Sequence, residues 1–390
     1  MTAVDAPVAV RRATAPATVV PRSAGAWWRS ARRRPGDLPA APLSARSAAE
    51  LTVDELLLAV KTAVRRVPAV ATVRASVEEA AEIGAALGPL ALEDLHRPPP
   101  GLVEPAIRRP RVGRIRSEEL RFSTGLGLPP ALASRSWWAR ESPNATVIAR
   151  ILRHRGAPRP WVVCVHGSGQ GRASDLLLFR ALGLHVGLGV NVAFPVLPLH
   201  GPRAVKGVTT PGFDVVDNVV AAAQAVADLR RLLTWVRAQG DPAVGVHGVS
   251  FGGYVASLLV ALEPGIDVAV VGIPVLGVHT LLARHLRRGG GRVAIRLAAL
   301  LDAEEVRGLD RLVSPLARPP RTPFGGRYVF GALGDRVTTP RQTLDLWDHW
   351  GRPPIRWYPG GHVGHLWSTE ARSFVHDAVR TLDGRGGKTT

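Results

Sequence analysis

The stretch that decides the fold is Ala243-Val-Gly-Val-His-Gly248-Val-Ser250-Phe-Gly252-Gly-Tyr254. Its first residues, Ala243–Val246, are a short apolar run of the kind that forms a strand covered on both faces. Tyr254 to Leu262 then reads as a helix. Between them lies Gly-x-Ser-x-Gly, a sharp strand-to-helix turn that holds its central residue in a strained conformation. Glycines two before and two after let strand and helix approach closely. Ser250 is thereby presented above the carboxyl edge of a sheet, at a helix N-terminus that favours developing negative charge. Alone the pattern is weak, because 17 Ser and 41 Gly in 390 residues produce a chance match about one time in five. The flanking strand and helix are the context that it requires. The bland alternative is a Gly-rich turn capped by a serine.

Working outward, Trp161-Val-Val-Cys-Val165 is another continuous apolar run, followed by His166-Gly167-Ser168-Gly-Gln-Gly171. A glycine-rich turn there exposes backbone N–H groups at the same sheet edge. Fixed donors in a dry site lower the barrier to forming an acyl-transfer oxyanion. The expected donors are the N–H groups of Phe251 and Ser168. A phosphate cradle is the competing reading, but the loop lacks both a P-loop Lys-Ser/Thr and a full Gly-x-Gly-x-x-Gly.

Tyr328-Val-Phe-Gly-Ala-Leu-Gly-Asp335 sets a carboxylate directly after a buried strand, and Pro340 opens the next helix. Trp357-Tyr-Pro-Gly-Gly-His362-Val-Gly-His365 sets histidines on a flexible glycine turn after the last strand. In this reading His362 takes the proton of Ser250 and returns it to the leaving group. Asp335 orients the imidazole and stabilises the imidazolium. The alternatives are His365 as base, Asp302 or Glu304 as acid, and an Asp335 that merely pairs with Arg336 or caps a helix. His166 and His247 sit at strand ends and read as structural.

Further strands are expected at Val112–Phe122, Thr146–Leu152, Val190–Val196, Val268–Val275 and Ile355–Tyr358, with a closing helix over Thr369–Leu382. Val215, Val219, Ala222, Val226, Leu229, Leu233 and Val236 form one stripe of a long helix ending near Gly240. Strands alternating with helices predict an α/β fold, a mostly parallel central sheet wrapped by helices.

The organisation expected is a disordered Arg/Ala/Pro-rich tail over 1–48, a helical extension with a Pro linker over 49–100, and a catalytic domain over 105–385. Thr52-Val-Asp-Glu55 and Ser76-Val-Glu-Glu79 read as capping boxes opening two short helices. Residues 277–324, the longest insertion between strands, read as two helices forming a lid.

Composition bounds the rest. Hydrophobic residues make up 46% of the chain and charged residues 21%, as in an ordinary globular protein. The one cysteine, Cys164, excludes an intramolecular disulfide framework and Cys-clustered metal sites. No cofactor and no metal are expected. The net charge is +19, and 47 of the 50 basic residues are Arg. They are scattered along the chain, which favours a coding bias over a nucleic-acid site. The tail alone holds a local excess, eight Arg against two Asp. It lacks the apolar core of a secretory signal, so a cytoplasmic location is expected, with a transit peptide as the second reading. Apolar runs break well before 18 residues, so no transmembrane segment is expected.

The chain from roughly Ile107 to Leu382 resembles the α/β-hydrolase superfamily. The resemblance rests on His166-Gly167, on Gly248-Val-Ser250-Phe-Gly252-Gly253, on Asp335 with its Arg-Val-Thr-Thr-Pro tail, and on Gly361-His362. It implies the α/β-hydrolase fold, with nucleophile, acid and base at Ser250, Asp335 and His362. The Ser-Phe-Gly-Gly-Tyr and Asp-Arg-Val-Thr-Thr-Pro segments look like the serine esterase and prolyl-oligopeptidase-like branch. No β-propeller precedes the domain, which argues against a large oligopeptidase. The His-Gly-Gly-Gly loop of hormone-sensitive-lipase-like enzymes reads His-Gly-Ser-Gly here, and a serine nucleophile argues against dehalogenase or epoxide hydrolase chemistry. Residues 1–100 carry no such resemblance. The expected function is hydrolysis of a small-molecule carboxylic ester with an apolar part. The alternatives are peptidase, amidase or thioesterase chemistry on the same fold, or binding of an anionic partner through the basic surface.

Overall fold

The computed structural model describes residues 15–32, 38–42, 44–64, 67–87, 91–101, 104–112, 115–133, 137–140 and 143–384. Among these, nine strands form one sheet and two more a small ribbon. The strands are β1 Ala106–Arg108, β2 Arg111–Val112, β3 Ile115–Arg116, β4 Glu118–Ser123, β5 Thr146–Leu152, β6 Trp161–Val165, β7 Asn191–Pro195, β8 Val244–Val249, β9 Val268–Gly272, β10 Arg327–Ala332 and β11 Ile355–Tyr358. The sheet order is β1-β4-β5-β7-β6-β8-β9-β10-β11. From β7 to β11 every neighbouring pair is parallel, while β1, β4 and β5 join antiparallel at one edge. The sheet is therefore mostly parallel, as expected. The long half-buried strand expected over Val112–Phe122 is instead the β2–β3 ribbon followed by β4, with residues 113–114 outside the described set. Strand β8 runs three residues beyond expectation because His247 and Gly248 continue the ladder opposite Cys164 and Val165.

Successive residues of β6 feed opposite cores. Trp161, Val163 and Val165 belong to one apolar cluster, and Val162 and Cys164 to the other. The first cluster is covered by helices α3 (Val70–Leu87), α4 (Val215–Arg237) and α5 (Phe251–Leu262). The second is covered by the C-terminal helix Thr369–Arg380 and the segment around Leu176–Leu184. Helix α4 opens on Asp214, whose carboxylate accepts the Asp217 N–H at 2.9 Å. Its apolar stripe predicted one buried face. The other face is buried too, because polar residues there find partners: Gln224 accepts from Asn144 at 2.7 Å, and Asp228 pairs with the fully buried Arg203 at 2.8 Å.

The N-terminal region departs from expectation in three ways. Within the stretch expected to be disordered, α1 (Ala15–Ala31) is helical, while residues 1–14 and 33–37 lie outside the described set. Val19, Ser23 and Ala26 bury one face of α1, and the Trp27 Nε1–H donates to Ser47 Oγ of the next helix. Pro21 and the Arg-rich composition hide this spacing in the sequence. Helix α2 (Ala45–Val64) begins at Ser44, whose Oγ accepts the Ser47 N–H at 3.0 Å. Thr52 is therefore mid-helix, and its hydroxyl donates back to the Ala48 carbonyl. Ser76 is likewise inside α3, where its Oγ accepts the Val215 N–H. Neither capping box forms, because both helices start earlier.

Residues 277–324 hold the two expected helices, α6 (Val278–Gly289) and α7 (Arg292–Leu301), and a third, α8 (Glu304–Asp310). Helices α7 and α8 pack against α3.

Candidate active site

Ser250 sits at the tip between β8 and α5 with φ 60° and ψ −120°. A non-glycine residue in such a conformation costs about 1–3 kcal/mol, which the surrounding packing must offset. The turn is clamped by its glycines. A Cβ at Gly252 would lie 2.0 Å from the Val165 carbonyl oxygen, and one at Gly248 would lie 2.3 Å from that of Gly252. The Ser250 N–H donates to the Gly272 carbonyl at 3.0 Å, tying the tip to β9.

Three expected residues come together here. His362 Nε2 lies 3.0 Å from Ser250 Oγ, and His362 Nδ1 lies 2.8 Å from Asp335 Oδ2. The Nδ1–H donates to the carboxylate, leaving Nε2 free to accept the hydroxyl proton. Asp335 also accepts the N–H groups of Val337 and Thr338 and the hydroxyl of Thr338. Burial alone would raise the carboxyl of Asp335, but His362 and these donors hold it below its ordinary range. Burial alone would depress the imidazole of His362. The charge and hydrogen bond of Asp335 outweigh that and leave it above 6.5.

The loop after β6 lies against this centre, with Gly167 and Ser168 lining the same cavity as Ser250. Gln170 Oε1 accepts the Gly167 N–H at 2.8 Å and so shapes the turn. Among the described residues, the N–H groups of Phe251 and Ser168 donate to no protein acceptor.

The other candidates are engaged differently, although His247 and His365 line the same cavity. His365 Nδ1 bonds the His362 carbonyl at 2.8 Å, and burial pushes its pKa down to about 4. Asp302 pairs with Arg287, and Glu304 with Arg307 and Arg311. Arg336 pairs with Glu55 rather than Asp335. His166 Nε2 accepts the Leu197 N–H, while its Nδ1 bonds Gly167 O. His247 Nδ1 bonds Val270 O.

The cavity beside Ser250 encloses about 1030 Å³ including its open mouth. Leu57, Leu178, Phe179, Val249, Phe330 and Val375 supply apolar walls. Lys61, Arg180 and Arg372 also line it, and among the described residues no Asp or Glu does. None of residues 277–324 lines it. The insertion expected as a lid does not wall the cavity: Leu57 and Lys61 of α2 line it, while α7 and α8 are held against α3. Among the described residues, no group of three or more His, Cys, Asp or Glu is placed to hold a metal ion, and no helix is long and apolar enough to cross a membrane.

Asp54 and Glu50 of α2 reach the loop of His362, which was not expected. The available signal was their i, i+4 spacing, one carboxylate above another on a single helix face. With Thr52 read as the start of a helix, Glu50 falls outside it and the pair is hidden.

Residues 141–286 match the family described as alpha/beta hydrolase domain containing 18. Over 290 residues the chain is 41% identical to the uncharacterized protein Rv2627c of Mycobacterium tuberculosis (strain ATCC 25618 / H37Rv), covering 72% of this chain and 68% of that one. The uncharacterized protein MT2702 of strain CDC 1551 / Oshkosh gives the same figures. The structure is similar to acetyl xylan esterase 1 from Thermoanaerobacterium sp. JW/SL YS485, with TM-score 0.54 and 17% identity over 78% of this chain and 94% of that one. It is also similar to acetyl xylan esterase from Paenibacillus sp. R4, with TM-score 0.50 and 13% identity over 80% and 93%. At these identities the likeness is one of fold.

Proposed function

The chain belongs to the α/β-hydrolase superfamily, in one family with the two Mycobacterium tuberculosis proteins, and from that membership we propose that it is a serine hydrolase cleaving carboxylic esters. The observation that carries this reading is the unbroken relay Ser250 Oγ, His362 Nε2, His362 Nδ1, Asp335 Oδ2, at 3.0 and 2.8 Å.

In this reading Ser250 Oγ attacks the ester carbonyl carbon as His362 Nε2 takes its proton. The carbonyl oxygen becomes an oxyanion, and the free N–H groups of Phe251 and Ser168 donate to it. Collapse breaks the bond to the alcohol oxygen, and the imidazolium protonates that oxygen as it leaves. Water then attacks the acyl-enzyme, giving one proton to His362, and the second collapse returns it to Ser250. Asp335 keeps the imidazole in the Nδ1–H tautomer throughout. The apolar walls suit an apolar acyl or alcohol part.

The test is a fluorophosphonate probe on the full chain, followed by mass mapping and an ester chain-length series. The reading expects one adduct, on Ser250, absent in Ser250→Ala. Folded protein that takes no label, or takes it elsewhere, overturns it.

A further inference from the structure

Helix α2 carries three carboxylates, Glu50, Asp54 and Glu55, into the two loops that hold Asp335 and His362. Asp54 is wholly buried. Its Oδ2 accepts the His362 N–H at 2.6 Å and the Arg336 N–H at 3.1 Å, and its Oδ1 accepts the Val363 N–H at 3.1 Å. One side chain therefore bridges the loop after β11 and the loop after β10. Glu50 supports the same loop from one turn earlier, accepting the Gly361 N–H at 3.1 Å and the Trp367 Nε1–H at 2.6 Å. The helix comes so close that side chains are excluded beneath it. A Cβ at Gly360 would fall 1.4 Å from Glu50 Oε2, and one at Gly361 would fall 2.8 Å from Asp54 Oδ2. The glycine turn before His362 is the seat of α2.

We propose that Asp54 is a positioning residue of the hydrolytic centre: by joining the His362 and Arg336 backbones it sets the imidazole within reach of both Ser250 and Asp335. This rests on the serine hydrolase reading above. A carboxylate has the charge and lone pairs to take three N–H donors from two loops. An amide at the same place turns an NH₂ group toward at least one of them. Displacing an imidazole by a fraction of an ångström is costly to a reaction that needs both of its hydrogen bonds.

The charges facing Asp54 are those of Asp335 and His362 from the two loops, with Glu50 and Glu55 on its own helix. Glu55 is answered by Arg336 and Arg288, while Lys61 and Arg284 act on the same cluster. Burial, followed by the nearby Asp335, raises Asp54 to about 6. Above that pH its negative charge favours the imidazolium of His362. Removing the charge therefore lowers the His362 pKa.

The experiment compares full-length wild type with Asp54→Asn, using p-nitrophenyl butyrate hydrolysis across pH, fluorophosphonate labelling and thermal unfolding. Asp54→Asn is expected to lose about 10- to 100-fold in kcat with KM within about 3-fold. The acid limb of kcat/KM is expected to move to lower pH, a shift that a residue serving only stability would not cause. If Asp54→Asn does not fold, Gly361→Ala presses on the same contact from the other side, and the same loss of kcat at steady KM is expected. Labelled wild type with a folded variant of unchanged kcat and unchanged acid limb overturns this inference and leaves the hydrolase reading standing. Wild type that takes no label on Ser250 overturns both.

Discussion

His362 and Asp335 are joined by a 2.8 Å hydrogen bond from Nδ1 to Oδ2, with both side chains buried. The bond favours the imidazolium, so the imidazole titrates above 6.5. Only neutral His362 accepts the serine proton, and activity must therefore rise as pH increases through that raised pKa. The acid limb of kcat/KM is expected above pH 6.5, and its apparent pKa is read directly from the profile. Asp335→Asn reverses the tautomer preference and should cost about 10⁴ in kcat. A limb at or below pH 6 in wild type would contradict the ion pair.

In the proposed reading Ser250 carries the chemistry, and its backbone also carries the strain. Ser250→Ala should lower kcat by roughly five orders of magnitude and abolish probe labelling, with the fold retained. Ser250→Gly should be equally inactive but about 1 kcal/mol more stable than Ser250→Ala, because glycine accepts φ 60° without a Cβ penalty. Urea denaturation of the two variants decides this. Equal midpoints would mean that the turn stores no strain.

Glu55 joins α2 to Arg288 and Arg336 and is 3% exposed. Burial tends to raise its carboxyl, but the two guanidinium groups outweigh that and hold it below 4.5. A carboxylate lowered in the folded state contributes stability that is present above its unfolded pKa and is lost as pH falls through the folded one. Glu55→Gln should cost about 2 kcal/mol at pH 7, the scale of hydrogen bonds to a charged group, and less below pH 4. Thermal unfolding at the two pH values measures it, and an equal cost at both would refute the ion pair as the cause.

Under the proposed reading, the apolar walls of the cavity predict a preference for apolar substrate. Each buried methylene contributes about 0.8 kcal/mol, or roughly fourfold. Along a series of p-nitrophenyl esters from acetyl upward, kcat/KM should climb at about that rate until the cavity is filled. A flat series would assign the pocket to something other than the acyl chain.

Much of the sheet was legible because its strands are short apolar runs bounded by Gly, Pro or charge. Thr146–Leu152, Trp161–Val165 and Ile355–Tyr358 fall at the expected residues. Helix α1 was not legible, since Val19, Ser23 and Ala26 acquire meaning only against α2. The insertion was readable as helices but not as to place: helicity follows from local spacing, whereas docking on α3 depends on a surface some 200 residues distant in the chain.

The chain order alone determined that a serine, an aspartate and a histidine each follow a strand, because strand ends and tight turns are written in neighbouring residues. Which histidine meets Ser250, and that α2 rather than the insertion walls the cavity, only the tertiary structure decided. Those outcomes depend on contacts between segments far apart in sequence. The meeting of Asp54 with the His362 N–H, 308 positions away, leaves no local trace beyond two carboxylates on one helix face.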